Sequence, residues 1–213
     1  MTDEIQICRE DLAALWKGIA PETIEQVCQK VEAAAQPRWT YAEYSCGELS
    51  SLWLGNDIRR HLAGCSRCVL IAVTLGVQTD RLLRRAGTAD VVQQALFDAA
   101  ASALIEAWAA HAEASLRDIY RKRALYLTRR FSPGYGDFPI SGQPEFLRLT
   151  GAEKKIGLTV TDTCILVPRK SVTAVCGIAD HPVTGTLAGC ATCALRETCK
   201  RRKEGIPCGT FDS

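Results

Sequence analysis

Arg130-Phe-Ser-Pro-Gly-Tyr-Gly-Asp137 is the stretch on which the reading of this chain turns. It follows a long helical segment and precedes a strand-rich one. Two glycines, a proline and a serine within eight residues exclude ordinary helix and predict a shaped loop. Gly134 and Gly136 admit positive φ and let a ligand approach the backbone closely. Tyr135, held between them, projects its ring outward. Arg130 and Asp137 bracket the loop with opposite charges. Two readings are open: a plain helix-to-strand connection closed by an Arg130–Asp137 salt bridge, or a binding loop.

Upstream of the loop, Thr88 to about Arg123 reads as the longest helix. Val92, Leu96, Ala99, Ala103, Ala107 and Trp108 keep the helical period, and further alanines let it pack closely on two sides. Glu106 sits in its middle, either on a solvent face or pointed at a site. Earlier still, Leu12, Leu15 and Trp16 predict a short helix. Pro21 opens a second, with Ile24, Val27, Cys28, Val31 and Ala35 on one face. Arg38 to Ser45 alternates and is rich in aromatics, so it predicts a strand. Trp39 and Tyr41 share one of its faces, suited to core or to stacking on a ligand. Asn56 or Asp57 caps a short helix through His61 and Leu62. Val69-Leu-Ile-Ala-Val73 reads as a buried strand, and Thr74-Leu-Gly76 turns it into another helix.

Downstream, Pro144 to Lys155 predicts one helix, stopped at Gly157. Leu158–Thr161, Cys164–Val167 and Ser171–Gly177 predict a small antiparallel sheet. The expected class is α+β, an antiparallel twisted sheet with long packed helices. The expected divisions are 1–125, 126–180 and a cysteine-rich tail at 181–213.

The chain has 213 residues, 47% apolar and 23% charged, the composition of a folded globular protein. A net charge of +2 argues against nucleic acid or anionic membrane as the main partner. No apolar run approaches the roughly 20 residues of a membrane span. The first residues lack a signal-peptide pattern, so the expected location is the cytoplasm. Eleven cysteines there are not read as a disulfide framework. Cys8, Cys28 and Cys46 lie in apolar or amphipathic settings and read as small buried hydrophobes. Cys65-x-x-Cys68, at the entry to a buried strand, suits inert burial, metal binding or redox chemistry.

Cys190, Cys193, Cys199 and Cys208 follow a C-x2-C-x5-C-x8-C spacing within nineteen residues. Two thiolates from a tight turn, closed by two more, supply four-sulfur ligation for zinc or an iron–sulfur cluster. The second Cys-x-x-Cys hairpin of common zinc sites is missing, and Pro207 adjoins the last cysteine. Both features favour the cluster. Cys208 is the fourth ligand in this reading, with Cys176 or Cys65 as alternatives. Lys200-Arg-Arg-Lys203 between the third and fourth cysteines is a solvated turn, a docking patch, or a device that raises a cluster's potential.

Arg130-Phe-Ser-Pro-Gly134-Tyr135, with Glu153-Lys154, Thr159-Val-Thr161 and the Pro168/Ser171-Val172 segment, resembles the reactivation domain of cobalamin-dependent methionine synthase. The likeness is strongest over about residues 100 to 178. The fuller Arg-Phe-Ser-Pro-Gly-Tyr-Gly-Asp, with Pro-x-Lys-Ser and the upstream Thr-Leu-Gly, looks more like stand-alone relatives of that domain, some of which carry a C-terminal cysteine cluster.

The resemblance implies a loop that binds S-adenosylmethionine beside the corrin of a partner's cobalamin. Arg130 would pair with the carboxylate of the methionine moiety. Ser132, Pro133, Gly134 and Tyr135 would form the loop against ligand and corrin, and Glu106 matches a mid-helix glutamate of the family site. The implied partner is a corrinoid-binding methyltransferase whose cobalt has been oxidised and needs one low-potential electron. The leading expectation is reductive reactivation, with an iron–sulfur cluster in the tail passing that electron. Two alternatives stand beside it. One is a component of a split methionine synthase that binds S-adenosylmethionine and takes electrons from a flavodoxin-like protein. The other is a non-enzymatic interaction protein stabilised by zinc. Whether the chain is itself an enzyme stays open between them.

Overall fold

The computed structural model describes residues 5–183, together with 185 and 198. Short amphipathic segments lead in: α1 (Arg9–Leu15) and α2 (Pro21–Ala34). Arg9 ties them, reaching Glu25 at 3.0 Å and Glu32 at 2.7 Å. Strand β1 (Arg38–Ser45) then pairs antiparallel with β2 (Arg67–Thr74), with α3 (Asn56–His61) between them in sequence. Two helices follow, α4 (Val77–Ala89) and α5 (Val91–Arg121). The helix expected after Gly76 and the longest helix expected from Thr88 to about Arg123 are both present, the second starting at Val91. The break between them is at Asp90, whose backbone is extended and whose side chain accepts from the Val92 amide at 3.0 Å. A carboxylate in that position supplies one of the donors' missing partners at a new helix start.

After α5, β3 (Tyr126–Leu127) leads into the Arg130–Asp137 loop, a 3-10 turn at Ile140–Gly142 and α6 (Gln143–Thr150). Gly151, at φ +65°, separates α6 from α7 (Ala152–Ile156), so the one helix expected over 144–155 is two. β4 (Thr159–Val160) and β5 (Leu166–Val167) make a separate two-stranded hairpin. β6 (Ser171–Ala179) does not join that hairpin, contrary to the small three-stranded sheet expected. It enters the main sheet, whose order is β1-β2-β6-β3. Strands from both sides of residue 125 thus share one sheet. The class is α+β, with an antiparallel sheet and long helices. The cysteine tail expected from 181 lies almost wholly outside the described residues.

Alternation along the strands sorts the core into two sides. Val69, Ile71, Val73, Cys176 and Ile178 face α2 and α5, meeting Val31, Ala100, Leu104 and Leu116. Cys68, Leu70 and Val175 face the other way, meeting Ile58 of α3, Phe146 of α6, Phe131 of the loop and Phe138 just after it. Ala72 on that same side meets Leu147, Ala152 and Leu158. Because β2 is covered on both faces, its apolar run is continuous rather than alternating, and each fully buried Leu or Ile there is worth about 1.5–3 kcal/mol. Trp39 and Tyr41 stack on one another with centroids 5.9 Å apart, and Trp39 joins the α5-side core. Among the described residues no helix is long and apolar enough to cross a membrane.

Candidate functional site

The loop grows out of an edge strand, and alternation decides what its first residues do. Phe131 exchanges backbone hydrogen bonds with Val175 at 2.9 and 2.8 Å. Its ring is buried on the α3 side, within 6.3 Å of Phe138. Arg130, one residue earlier, therefore points to the opposite face, towards α5. There its Nε donates to Glu113 at 2.9 Å, and both terminal nitrogens approach one oxygen of Glu106 at 3.4 Å. Glu106 and Glu113 are seven residues apart, two helical turns, so they share a face of α5. Glu113 also accepts from Arg117 at 2.6 Å. Arg117 in turn donates to the carbonyls of Leu127 (2.7 Å) and Thr128 (2.9 Å), stitching α5 to the strand that carries Arg130.

Two arginines and two glutamates form this group, so its net charge is zero. The two glutamates are not equivalent. Glu113 is the more enclosed, with 16% of its side chain exposed and two arginines at short range. Glu106 is 35% exposed and holds Arg130 only through long contacts. Chemically the group offers one fixed counter-ion and one exchangeable one to the same guanidinium. Beneath it lies Cys176, a fully enclosed thiol whose pKa burial raises well above the ordinary cysteine range.

Beyond Phe131 the chain turns sharply. The Tyr135 amide donates to Ser132 O (3.1 Å), and Gly134 N to Phe138 O (2.8 Å). Gly134 and Gly136 have φ of +93° and +54°, as their placement in the loop predicts. Pro133 is buried, and Tyr135 stands 55% exposed with its ring 6.5 Å from Phe131. The loop closes at Asp137, whose carboxylate accepts the amides of Asn56 (2.6 Å) and Asp57 (2.9 Å) at the start of α3. Its own amide donates back to Asp57 at 3.3 Å. Those amides hold the Asp137 carboxyl below its ordinary pKa of 3.8. Arg130 and Asp137 thus engage different helices, and the loop is not closed by a salt bridge between them. Nor does Asn56 or Asp57 cap α3; that capping carboxylate comes from 80 residues away.

Of the residues singled out from sequence, Arg130 and Glu106 are brought together, and Ser132, Pro133, Gly134 and Tyr135 form the adjoining turn. Glu113 and Arg117 were not anticipated. Their signal was present: glutamates two turns apart on one helix, with an arginine four residues after the second. Cys190, Cys193, Cys199 and Cys208 lie outside the described residues. Among the described residues no group of three or more His, Cys, Asp or Glu side chains is arranged to hold a metal ion. A cavity of about 530 Å³ opens between α1 and α2, lined by residues such as Arg9, Pro21 and Ile24, and shares none with the loop.

No family model matches the chain, and no curated protein does. Among solved structures it is similar to the crystal structure of the MetH reactivation domain bound to AdoHcy, at 19% identity and a TM-score of 0.47. The match covers 66% of this chain and 47% of that one, so the chain spans about half the length of that neighbour.

Proposed function

We propose that this chain supports the reductive reactivation of a corrinoid-dependent methyltransferase, docking on the corrinoid-bearing partner through the Arg130–Asp137 loop. The observation that carries the reading is the Arg130–Glu106 pair at the mouth of that loop. These are the two residues that the motif resemblance assigns to a methyl donor, and they meet at 3.4 Å although 24 positions apart.

In this reading the ligand is S-adenosylmethionine. Its carboxylate takes the terminal nitrogens of Arg130, displacing the long contacts to Glu106, while Glu113 keeps hold of Nε. Glu106, released, faces the ligand's ammonium. Gly134 lets the ligand approach the backbone, and exposed Tyr135 lies against the corrin. The cobalamin belongs to the partner and supplies the cobalt chemistry. Cys190, Cys193, Cys199 and Cys208 would hold an iron–sulfur cluster as electron source, which their spacing and Pro207 support. Zinc in their place, with electrons from a separate protein, is the second reading.

Calorimetry with S-adenosylmethionine on wild type and Arg130→Ala tests the site. Binding by wild type and a loss of roughly 100-fold or more in the variant are expected, the cost of removing a charge-assisted bidentate contact. Equal affinities would overturn the assignment of Arg130. Iron, sulfide and zinc analysis of anaerobically purified protein tests the tail. Iron with matching sulfide is expected, and zinc alone would make the tail structural.

A further inference from the structure

Three thiols outside the loop gather on the α3 side of the sheet. Cys46 is the residue after β1, Cys65 lies in the connection between α3 and β2, and Cys68 is the second residue of β2. Tyr44 stands opposite Cys68 in the ladder, and the Cys46 amide donates to Ser66 O at 3.0 Å, extending the pairing one step further. Cys46 and Cys68 therefore share a face, diagonal to one another. The Cys46 and Cys68 side chains lie near enough to shift one another's proton affinity. Cys65 covers Gly177, the β6 residue opposite Cys68, so closely that a Cβ at 177 would stand 2.6 Å from its sulfur. Cys176, next along β6, faces the other side of the sheet.

We infer that Cys46 and Cys68 form a reactive dithiol that closes to a disulfide when low-molecular-weight disulfides are present. Exposure divides the roles. Cys46 is half-buried at the rim and open to attack chemistry, while Cys68 has no exposed surface. Electrostatics agrees with geometry: the neighbouring Cys68 thiol lowers the Cys46 pKa against the opposing effect of burial. Cys65, the partner that the Cys-x-x-Cys spacing suggests, is pushed up to about 11 by burial.

The chemistry proceeds in two exchanges. The Cys46 thiolate attacks one sulfur of the small disulfide, forming a mixed disulfide and releasing one small thiolate, which takes up a proton. Cys68 then gives up its proton and attacks the Cys46 sulfur, releasing the second small thiol. Two protein thiols and one small disulfide become one protein disulfide and two small thiols. The position gives the change a structural audience. Trp53 donates its indole N–H to Cys46 O at 3.0 Å, and its ring lies 6.3 Å from Phe138, whose cluster also holds Phe131 and Cys68. The dithiol and the root of the Arg130–Asp137 loop thus share one apolar cluster.

The test is to incubate the reduced, folded full chain with oxidised glutathione, block remaining thiols, digest without reductant and map linked peptides by mass spectrometry. A Cys46–Cys68 link that forms without denaturant and opens with dithiothreitol is expected. Cys65→Ser retains it at an unchanged rate, and Cys46→Ser abolishes it. Cys68→Ala accumulates the mixed disulfide at Cys46. Oxidation alters Trp53 emission, identified by its loss in Trp53→Phe. A dominant Cys65–Cys68 link, a mixed disulfide on wild-type Cys46 that never resolves, or no reaction at either residue would overturn the inference. Should Cys68→Ala fail to fold, the Cys46→Ser and Cys65→Ser pair decides it alone.

Discussion

The two ends of the Arg130–Asp137 loop are held in different ways. At the Asp137 end a carboxylate accepts backbone amides of α3, at 2.6 and 2.9 Å. Backbone donors at a helix start are fixed by the helix itself, so this end is a structural anchor. At the Arg130 end the partners are side chains on α5, one tight at 2.9 Å and one loose at 3.4 Å. Side-chain partners can be exchanged for a ligand's charges without unmaking secondary structure. The comparison teaches that one loop separates the tasks: the anchor sets its shape, and the Arg130 end keeps a counter-ion that can be exchanged.

The comparison breaks most visibly at Gly55, which enters α3 at φ +145°. A Cβ there would stand 2.5 Å from the Asp137 carboxylate and 2.7 Å from its backbone oxygen. Gly55→Ala is expected to destabilise the protein by about 2–4 kcal/mol in urea denaturation, from strain and the lost close approach. A neutral effect would mean that the anchor is looser than described. At the other end, Glu113→Gln removes the tight counter-ion from both Arg130 and Arg117. The expected cost is about 1–3 kcal/mol, read as a lower urea midpoint. Glu106→Gln is the control that sharpens the contrast. Partly exposed and held by long contacts, it should cost within about 0.5 kcal/mol of stability while weakening S-adenosylmethionine binding. If the two glutamate variants lose equal stability, Glu106 is not exchangeable.

The smallest effect is a pH dependence at Asp137. Its carboxyl is held below the ordinary 3.8 by the α3 amides. A carboxyl depressed in the folded state stabilises above its unfolded pKa, and that contribution disappears as pH falls through the folded one. Wild type should therefore exceed Asp137→Asn in urea midpoint at neutral pH, with the gap narrowing below about pH 4. A gap independent of pH would show that the anchor works through shape rather than charge.

Much of this was readable in advance. β1 matched its alternating aromatic pattern, and Val69–Val73 read as a buried strand because β2 is covered on both faces. The loop was legible through its glycines and proline. The start of the long helix was legible to within three residues, at Thr88 rather than Val91, and Asp90, whose side chain accepts the Val92 amide, sets it. β3 was not legible: two residues have no pattern, and Tyr126 and Leu127 are extended because Ala179 and Ile178 offer them a ladder.

What the sequence by itself determined is what neighbours along the chain can decide. Helical and strand periods, caps and positive-φ glycines act over a few residues, where sterics and hydrogen bonding are local. Only the tertiary structure decided the partnerships. It placed β6 between β2 and β3, sent Asp137 to α3, set Glu113 beside Arg130 and put Cys46 diagonal to Cys68 on one face of the sheet. Each joins groups whose separation along the chain carries no energetic signature until packing brings them within hydrogen-bond or van der Waals reach, where forces that fall off over a few ångströms begin to act.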